Sequence, residues 1–202
     1  MKPITTLFLD IGGVLLTNGW DHVQRESAVR HFGLEIEEFN VRHRQTYNLH
    51  ETGKISLDHY LNSVVFWKKR SFSLDEFKNF MFAQSQPHPE MLDFITELKK
   101  KYSLKVAVIS NEGRALVEYR IQQYELKALA DFFIVSCFVG IQKPSAVIYR
   151  LALDLVQVPP EETIYIDDRK EMIVAAEAMG IRGIQHVSLE STRAQLLSCC
   201  KH

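Results

Sequence analysis

Six polar side chains suited to phosphate chemistry stand where apolar runs of the sequence end; they are Asp10, Ser110, Asn111, Lys143, Asp167 and Asp168. Carboxylate oxygens are the ligands that Mg²⁺ prefers, and an aspartate can attack phosphorus as a nucleophile. Hydroxyl, amide and ammonium groups can hold the oxygens of a transferring phosphoryl group and offset the charge that develops there. The set predicts phosphoryl transfer at a Mg²⁺ site, with an aspartyl-phosphate formed on Asp10.

Each member of this set also has a simpler interpretation. Asp10 could end an Asx-turn, Ser110 and Asn111 could cap a helix, and a lysine is most often solvated. However, Lys143 precedes Pro144 at a predicted helix start, where a cation is favoured only if an anion lies between it and the helix N-terminus. The adjacent carboxylates at 167 and 168 repel each other unless a cation separates them. The combined set favours the functional interpretation.

The elements that must position these side chains are apolar, β-rich runs at 4–10, 105–110, 132–138 and 163–168, with a weaker one at 183–187. The runs are nearly continuous, as in strands that are covered on both faces. Helical patterns follow at 89–101, 116–124, 144–155 and 172–179. This alternation predicts an α/β fold with a doubly wound parallel sheet, whose ligands bind beyond the carboxyl ends of the strands.

Residues 18–88 interrupt the alternation, because they contain helical patterns and no convincing strand. The patterns lie at 21–31, 35–49, 56–69 and 73–83, and Ser73 with Glu76 forms a capping box at the start of the last one. We therefore expect a core domain of residues 1–17 and 89–202. A small helical cap domain, residues 18–88, is inserted after the first strand.

Composition limits the class of protein. A net charge of −1 argues against nucleic acid or an anionic membrane as the main partner. No apolar run is long enough for a membrane span, and the N-terminus has no signal-like segment, so a cytoplasmic protein is expected. Cys137, Cys199 and Cys200 have no metal-binding spacing, and the adjacent pair resembles ordinary reduced thiols. The expected partner is a small phosphorylated substrate.

The motifs, taken in order, resemble those of the haloacid dehalogenase-like superfamily. The matching stretches are "FLDIGGVL" (8–15), "VISNE" (108–112), "QKPSAVIY" (142–149) and "IYIDDRKEMIVAAEAMG" (164–180). The resemblance implies a Rossmann-like core with a helical cap over the site, and it covers essentially the whole chain. Within the insertion, "HETGKIS" (50–56) is similar to a stretch in the caps of sugar-phosphatase-like members.

The resemblance also implies residue roles. Asp10 would be the nucleophile and a metal ligand, with further metal contacts from the carbonyl of Gly12 and from Asp168, beside which Asp167 lies. Catalysis and phosphoryl binding would involve Ser110 and Lys143. The remaining substrate-binding candidates are Asn111, Gly13, His50 and Glu51, although loop geometry alone would also explain Gly13.

One departure from the family pattern concerns Gly12. Phosphatases of the family usually carry a second aspartate at this position, which protonates the leaving group and then activates water. A subgroup with Asp-x-Gly resembles phosphatases that act on sugar phosphates. Here the proton could be handled by His50, Glu51, Glu112 or Arg169, all of which could equally be solvated surface residues. A bound water could also substitute, and a good leaving group would need no acid.

Three functions follow. The favoured one is a Mg²⁺-dependent phosphatase acting on a small metabolite, possibly a sugar phosphate. The second is a catalytically weak or inactive protein that binds a phosphorylated ligand or a protein partner, for which exposed aromatic residues between 66 and 82 would be a sign. The third is a 2-haloacid dehalogenase, against which the acidic pair argues, because that chemistry needs no divalent metal.

Overall fold

A single parallel sheet organises the chain in the computed structural model, which describes residues 2–199. Its strands are β1 (Thr6–Leu9), β2 (Lys105–Ser110), β3 (Phe132–Val135), β4 (Thr163–Asp167) and β5 (Arg182–Gln185). Their order is β3-β2-β1-β4-β5, and every neighbouring pair is parallel. The chain leaves β1 toward one edge and later returns to its other side at β4. The predicted α/β fold class is confirmed.

Helices fill the connections between the strands. They are α1 (His22–His31), α2 (Ile36–Glu51), α3 (Leu57–Val64), α4 (Leu74–Ala83), α5 (Pro89–Tyr102), α6 (Arg114–Gln123), α7 (Leu126–Leu129), α8 (Ser136–Val139), α9 (Ala146–Val156), α10 (Lys170–Glu177) and α11 (Leu189–Cys199). A short 3-10 helix covers Pro160–Glu162. Within residues 2–199, no helix combines the length and the apolar content needed to cross a membrane.

Both faces of the sheet are buried, which explains why its strands read as nearly continuous apolar runs. Side chains alternate along β1: Leu7 and Leu9 face the core shared with α5 and α11, whereas Phe8 faces the core shared with α9 and α10. The central strand is fully covered, so a charged residue at its end is poorly hydrated on both sides.

The four helices α1–α4 form what we call the helical insert, residues 18–88. They surround their own apolar cluster, in which Tyr60 and Phe77 are fully buried and which also contacts Leu116 of α6. The predicted capping box of Ser73 and Glu76 begins α4. Most of the aromatic residues between 66 and 82, whose exposure would have favoured a binding protein, pack in or against this cluster; Trp67 is 39% exposed and lies beneath Arg42 and Lys68.

Several boundaries differ from the sequence predictions. The third strand ends at Val135 rather than 138, because Ser136 begins the short helix α8 and its hydroxyl binds the main chain of Glu51. The helix predicted for 56–69 ends at Val64, and Arg70 then donates to the carbonyl of Val65.

Two further differences concern helices. The one expected to open at Pro144 begins at Ala146, because Ser145 is its N-cap. Helices α7 and α11 were not predicted. Cys137 is a buried free thiol and Cys199 a half-buried one, while Cys200 lies outside the described residues.

Candidate active site

The carboxyl ends of β1, β2 and β4 meet at one edge of the sheet. Leu9 pairs with Ile166 in the register of β1 and β4, so the next residues, Asp10 and Asp167, are neighbours. Ser110 ends β2 on the other side of β1. This edge lies beside the point at which the strand order reverses, which is where open α/β sheets bind ligands.

The ammonium of Lys143 lies between two carboxylates. Its Nζ is 3.1 Å from Oδ1 of Asp10 and 2.7 Å from Oδ2 of Asp167, and it donates to the hydroxyl of Tyr165 at 2.9 Å. The protein's own carboxylates thus pair with this buried charge, and α9 begins three residues later. The anion that we expected beside Lys143 stays a prediction.

Asn111 holds the main chain of Lys143 in place. Its side-chain amide donates to the Lys143 carbonyl at 2.9 Å and accepts from the Lys143 N–H at 2.8 Å. Both ends of the amide are thereby engaged with the backbone. Asn111 lines the cavity, and the contacts that its side chain makes in the structure position Lys143.

Three carboxylates meet at this edge. Ligand oxygens of Asp10, Asp167 and Asp168 all lie within 4.8 Å of one another. Asp167 is saturated, because Oδ2 receives Lys143 and Tyr165 and Oδ1 accepts from the N–H of Arg169. By contrast, Oδ1 of Asp168 is buried and lacks a hydrogen-bond partner within the described chain. A hard cation with oxygen ligands fits this unsatisfied oxygen and the crowded negative charge.

The pKa directions agree with that crowding. Burial raises the pKa of Asp10, and the charge of Asp167 raises it further, against the opposing effect of Lys143. Burial also raises the pKa of Asp168, and Asp10 and Asp167 add to the shift. Burial opposes ionisation of Asp167 as well, but Lys143, together with the hydrogen bonds from Tyr165 and the Arg169 N–H, outweighs it and lowers that pKa below its ordinary value.

The two glycines that follow Asp10, Gly12 and Gly13, lack a side chain for different physical reasons. Gly13 has a φ of +71°, and a Cβ there would lie 2.3 Å from Oδ2 of Asp168. It therefore allows both the left-handed turn and the close approach of Asp168, which is more than loop geometry alone. A Cβ on Gly12 would lie 2.9 Å from Oδ1 of Asn18, so an amide fills the space beside this glycine.

A buried ion pair underlies the site, and the sequence analysis missed half of it. Arg120 of α6 is fully buried and donates to Oε1 of Glu112 and to the carbonyl of Thr17. Ser110 Oγ donates to the same Glu112 oxygen at 3.4 Å. The available signal was an arginine on the apolar face of a helix, next to Ile121.

A cavity of about 880 Å³ lies between this edge and the helical insert. Helix α2 lines it with side chains at i, i+3, i+4 and i+7 spacing, which therefore share one helix face. They are Asn40, His43, Arg44, Tyr47, His50 and Glu51. Sequence reasoning found only the last two; the polar periodicity of α2 was the signal for the others.

His50 and Glu51 differ in environment. The ring of His50 stacks on Tyr60 with centroids 4.7 Å apart, and a Cβ on Gly113 would lie 2.0 Å from its Nε2. Burial lowers the pKa of His50 to about 4, so the ring is neutral at neutral pH. Glu51 accepts from Nε2 of Gln142 at 2.7 Å, and burial raises its pKa to about 7.

A doubly wound sheet with carboxylates, a lysine and a helical insert at its C-terminal edge defines a class of α/β enzyme. Residues 4–180 match the haloacid dehalogenase-like hydrolase family, and the chain belongs to that family. Its motif-based recognition from the sequence is thus confirmed.

Solved structures agree with this assignment. The HAD family enzyme bt-2542 from Bacteroides thetaiotaomicron superposes with a TM-score of 0.83 at 19% identity, covering 96% of this chain and 99% of that one. That enzyme is also known in complex with magnesium and inorganic phosphate, where the TM-score is 0.77. At this identity the likeness establishes the fold.

Curated relatives extend the comparison. The chain is 26% identical over 183 residues to the sesquiterpene phosphatase astK of Aspergillus oryzae, covering 87% of this chain and 86% of that one. It is 29% identical over 145 residues to a phosphorylated carbohydrates phosphatase of Thermotoga maritima, covering 71% and 62%. It also matches mammalian bifunctional epoxide hydrolase 2, of which it spans 21% of the length.

Proposed function

We propose that this hydrolase is a Mg²⁺-dependent phosphatase that acts on a small, polar phosphorylated metabolite. The observation that carries the proposal is the cluster of Asp10, Asp167 and Asp168, in which Lys143 pairs with the first two and one buried oxygen of Asp168 lacks a hydrogen-bond partner within residues 2–199. A bound Mg²⁺ would neutralise charge on the phosphoryl oxygens. Its ligands would be Asp10, Asp168 and the carbonyl of Gly12, with Asp167 supporting them. A structural relative solved with magnesium and phosphate adds support.

The residues divide the work of phosphoryl transfer. Asp10 is the nucleophile: its Oδ1 is fixed by the N–H of Ile11 at 2.8 Å and by Lys143, which orients the carboxylate for attack on phosphorus. Lys143 and the Ser110 hydroxyl offset charge on the transferring oxygens. Asn111 serves mainly by holding the lysine in place.

The lining of the cavity supports a polar substrate. The face that α2 presents consists of amide, imidazole, guanidinium, phenol and carboxyl groups, and Trp20, Met81 and Leu116 supply apolar surface beside it. A sesquiterpene would leave these polar groups desolvated without partners. The lining therefore favours a sugar or polyol phosphate, as for the Thermotoga maritima relative, over an apolar phosphate.

We further propose that the helical insert is the cap of this site. Its stretch 50–53 lies against the core: His50 packs on Gly113, and a Cβ on Gly53 would lie 2.3 Å from the carbonyl of Cys137. Caps of this kind exclude water and complete the catalytic site. The cavity beneath the insert is the space in which the substrate would be enclosed.

Gly12 is the observation that favours the second candidate, binding without turnover. The neighbouring Asn18 amide cannot act as a general acid, so efficient hydrolysis needs a proton donor from elsewhere. The dehalogenase alternative is disfavoured by the buried, unpartnered oxygen of Asp168, which that metal-free chemistry leaves unexplained.

Phosphate release from a panel of substrates tests the proposal. The panel would contain hexose phosphates, polyol phosphates, a prenyl phosphate and a 2-haloacid, each with Mg²⁺ and with EDTA. We expect Mg²⁺-dependent release from polar phosphates, lost in Asp10→Asn and retained in the exposed control Asp154→Asn. Tight phosphate binding without release would favour the second candidate, and haloacid turnover in EDTA the third. Full activity of Asp10→Asn would show that Asp10 is not the nucleophile.

A further inference from the structure

The loop that carries the nucleophile supplies no proton-transfer group. Position 12 has no side chain, and the space beside it is filled by the Asn18 amide. The same amide hydrogen-bonds to Asp168 and partly offsets the burial that raises the pKa of that carboxyl. Because an amide neither gives up nor accepts a proton at neutral pH, a side chain that protonates the leaving oxygen has to come from elsewhere in the cavity lining.

Most acidic groups at the cavity are already engaged. Asp10 and Asp168 belong to the nucleophile and metal set. Asp21 caps α1 through the N–H groups of residues 23 and 24. Glu112 binds Arg120 and Ser110 through Oε1, and its Oε2 is buried. Glu51 is the remaining carboxyl group that lines the cavity in the described chain.

Three imidazoles line the cavity; His22 is exposed to solvent at the start of α1, and those of His43 and His50 are poor donors for a different reason. Nδ1 of His43 shares a hydrogen bond with the hydroxyl of Tyr60 at 2.7 Å, and His50 is packed between Tyr60 and Gly113. Burial lowers the pKa of both rings to about 4, so neither carries a transferable imidazolium proton near neutral pH.

Glu51 is anchored to the core although it belongs to the insert. Its carbonyl accepts from Oγ of Ser136 at 2.7 Å, and its Oε2 accepts from Nε2 of Gln142 at 2.7 Å. Gln142 directly precedes Lys143, whose ammonium contacts the nucleophile Asp10. One oxygen of Glu51 is thus fixed by the segment that contains the phosphoryl-binding lysine, whereas Oε1 accepts no hydrogen bond from the part of the chain that the structure describes.

We propose that Glu51 is the general acid and base of this enzyme, an inference that rests on the proposed phosphatase function. In the first step an oxygen of Asp10 bonds to phosphorus, the bond from phosphorus to the leaving oxygen breaks, and the Glu51 carboxyl gives its proton to that oxygen. In the second step water attacks phosphorus, the Asp10–phosphorus bond breaks, and the Glu51 carboxylate takes the water proton. The enzyme is thereby restored.

The surroundings of Glu51 suit a group that must both give and take a proton. Burial raises its pKa to about 7; the guanidinium of Arg169 and the Gln142 amide oppose the rise, Glu112 adds to it, and Arg25 opposes it weakly. A proton-transfer group works best when its pKa lies near the operating pH. A carboxyl group on the surface of the insert would be almost entirely ionised there.

The test compares Glu51→Gln with wild type on two leaving groups. A sugar phosphate has an alkoxide leaving group that needs a proton, so we expect its turnover to fall by about 10²–10⁴-fold. Nitrophenolate departs without one, so p-nitrophenyl phosphate should give a burst of about one nitrophenolate per enzyme, followed by slow turnover as the aspartyl-phosphate accumulates. The burst also demonstrates that the variant is folded and that Asp10 is active.

Glu37→Gln is the matched control, because Glu37 lies on the same helix, is exposed and does not line the cavity. It should behave as wild type. If Glu51→Gln turns over the sugar phosphate within a factor of about two of wild type, Glu51 is not the general acid and base, and the proposed phosphatase function is unaffected. Absence of any turnover in wild type would overturn the proposed function, and with it this assignment.

Discussion

The side-chain oxygen of Asn18 lies 2.9 Å from the point that a Cβ on Gly12 would occupy. The amide thus takes the space into which a side chain at position 12 would extend, directly after the nucleophile. The role of Gly12 therefore has to be interpreted together with that of Asn18. A side chain at position 12 and the Asn18 side chain would occupy the same space, so the residue tolerated at one position depends on the residue at the other.

Restoring a carboxylate at position 12 should therefore require a change at position 18. We expect Gly12→Asp alone to leave turnover of a sugar phosphate at or below the wild-type value, because the Asn18 amide must leave its place beside Asp168. In the Glu51→Gln background, Gly12→Asp with Asn18→Ala should recover at least tenfold of the roughly 10²–10⁴-fold loss. Asn18→Ala alone is the control, and rescue by Gly12→Asp alone would contradict the coupling.

The lysine between two carboxylates should matter for stability as well as for catalysis. Lys143→Met leaves Asp10 and Asp167 buried without their shared cation, which costs about 3–5 kcal/mol when one partner of a buried pair is removed. Denaturant unfolding at pH 7 measures this cost, with the exposed Lys127→Met as control.

The sign of the pH effect in that variant follows from the charges. Without the lysine, burial and mutual repulsion raise the pKa of both carboxyls above their unfolded values. The folded state then binds more protons than the unfolded state, so the penalty should shrink as pH falls from 7 to 5. A penalty that is unchanged over this range would argue against uncompensated carboxylates as its cause.

Mg²⁺ should stabilise the folded protein through Asp168. Free Mg²⁺ at about 100-fold its dissociation constant adds about 2.7 kcal/mol, which corresponds to roughly 5–10 °C in the midpoint of thermal unfolding for a chain of this size. Asp168→Asn should lose this response, and without Mg²⁺ it should be slightly more stable than wild type, because the charge repelled by Asp10 and Asp167 is gone. Asp154→Asn should keep the full response.

Much of the fold and part of the site could be predicted from the sequence, because local rules determine them. Apolar runs covered on both faces gave the strands, and parallel topology brought the polar residues at their ends to one edge. That Asp10, Ser110, Lys143 and the acidic pair lie close together could be predicted without knowing how the side chains pack. Their chemical roles remain predictions.

The rest depended on directions that only packing determines. The Glu112–Arg120 ion pair joins a strand end to a helix whose rotation is decided by neighbouring apolar contacts. The fit of Asn18 against Gly12 depends on the path of a loop with no periodic signal. Short elements such as α8 also escaped prediction, because four residues carry too little pattern to separate a strand from a helical turn.

Docking of the insert should be sensitive to one methyl group. A Cβ on Gly113 would lie 2.0 Å from Nε2 of His50, so Gly113→Ala must push the His50 ring away from the core. We expect kcat/KM for a sugar phosphate to fall at least tenfold, because the substrate would no longer be enclosed. Adding His50→Ala removes the clash and should restore part of the loss. A purely additive double mutant would argue against this contact as the cause.

The pH dependence of catalysis should report Glu51. As general acid, Glu51 must be protonated to release the leaving oxygen, and burial places its pKa at about 7. For a sugar phosphate, kcat/KM should therefore fall by about tenfold per pH unit above roughly pH 7. For p-nitrophenyl phosphate, kcat/KM reports only the steps up to nitrophenolate release. It should not fall above pH 7, because that release needs no proton. Glu51→Gln should flatten the profile for the sugar phosphate as well as lower it. A limb near pH 7 that persists in Glu51→Gln would assign the titration to a different group and remove Glu51 from the chemistry.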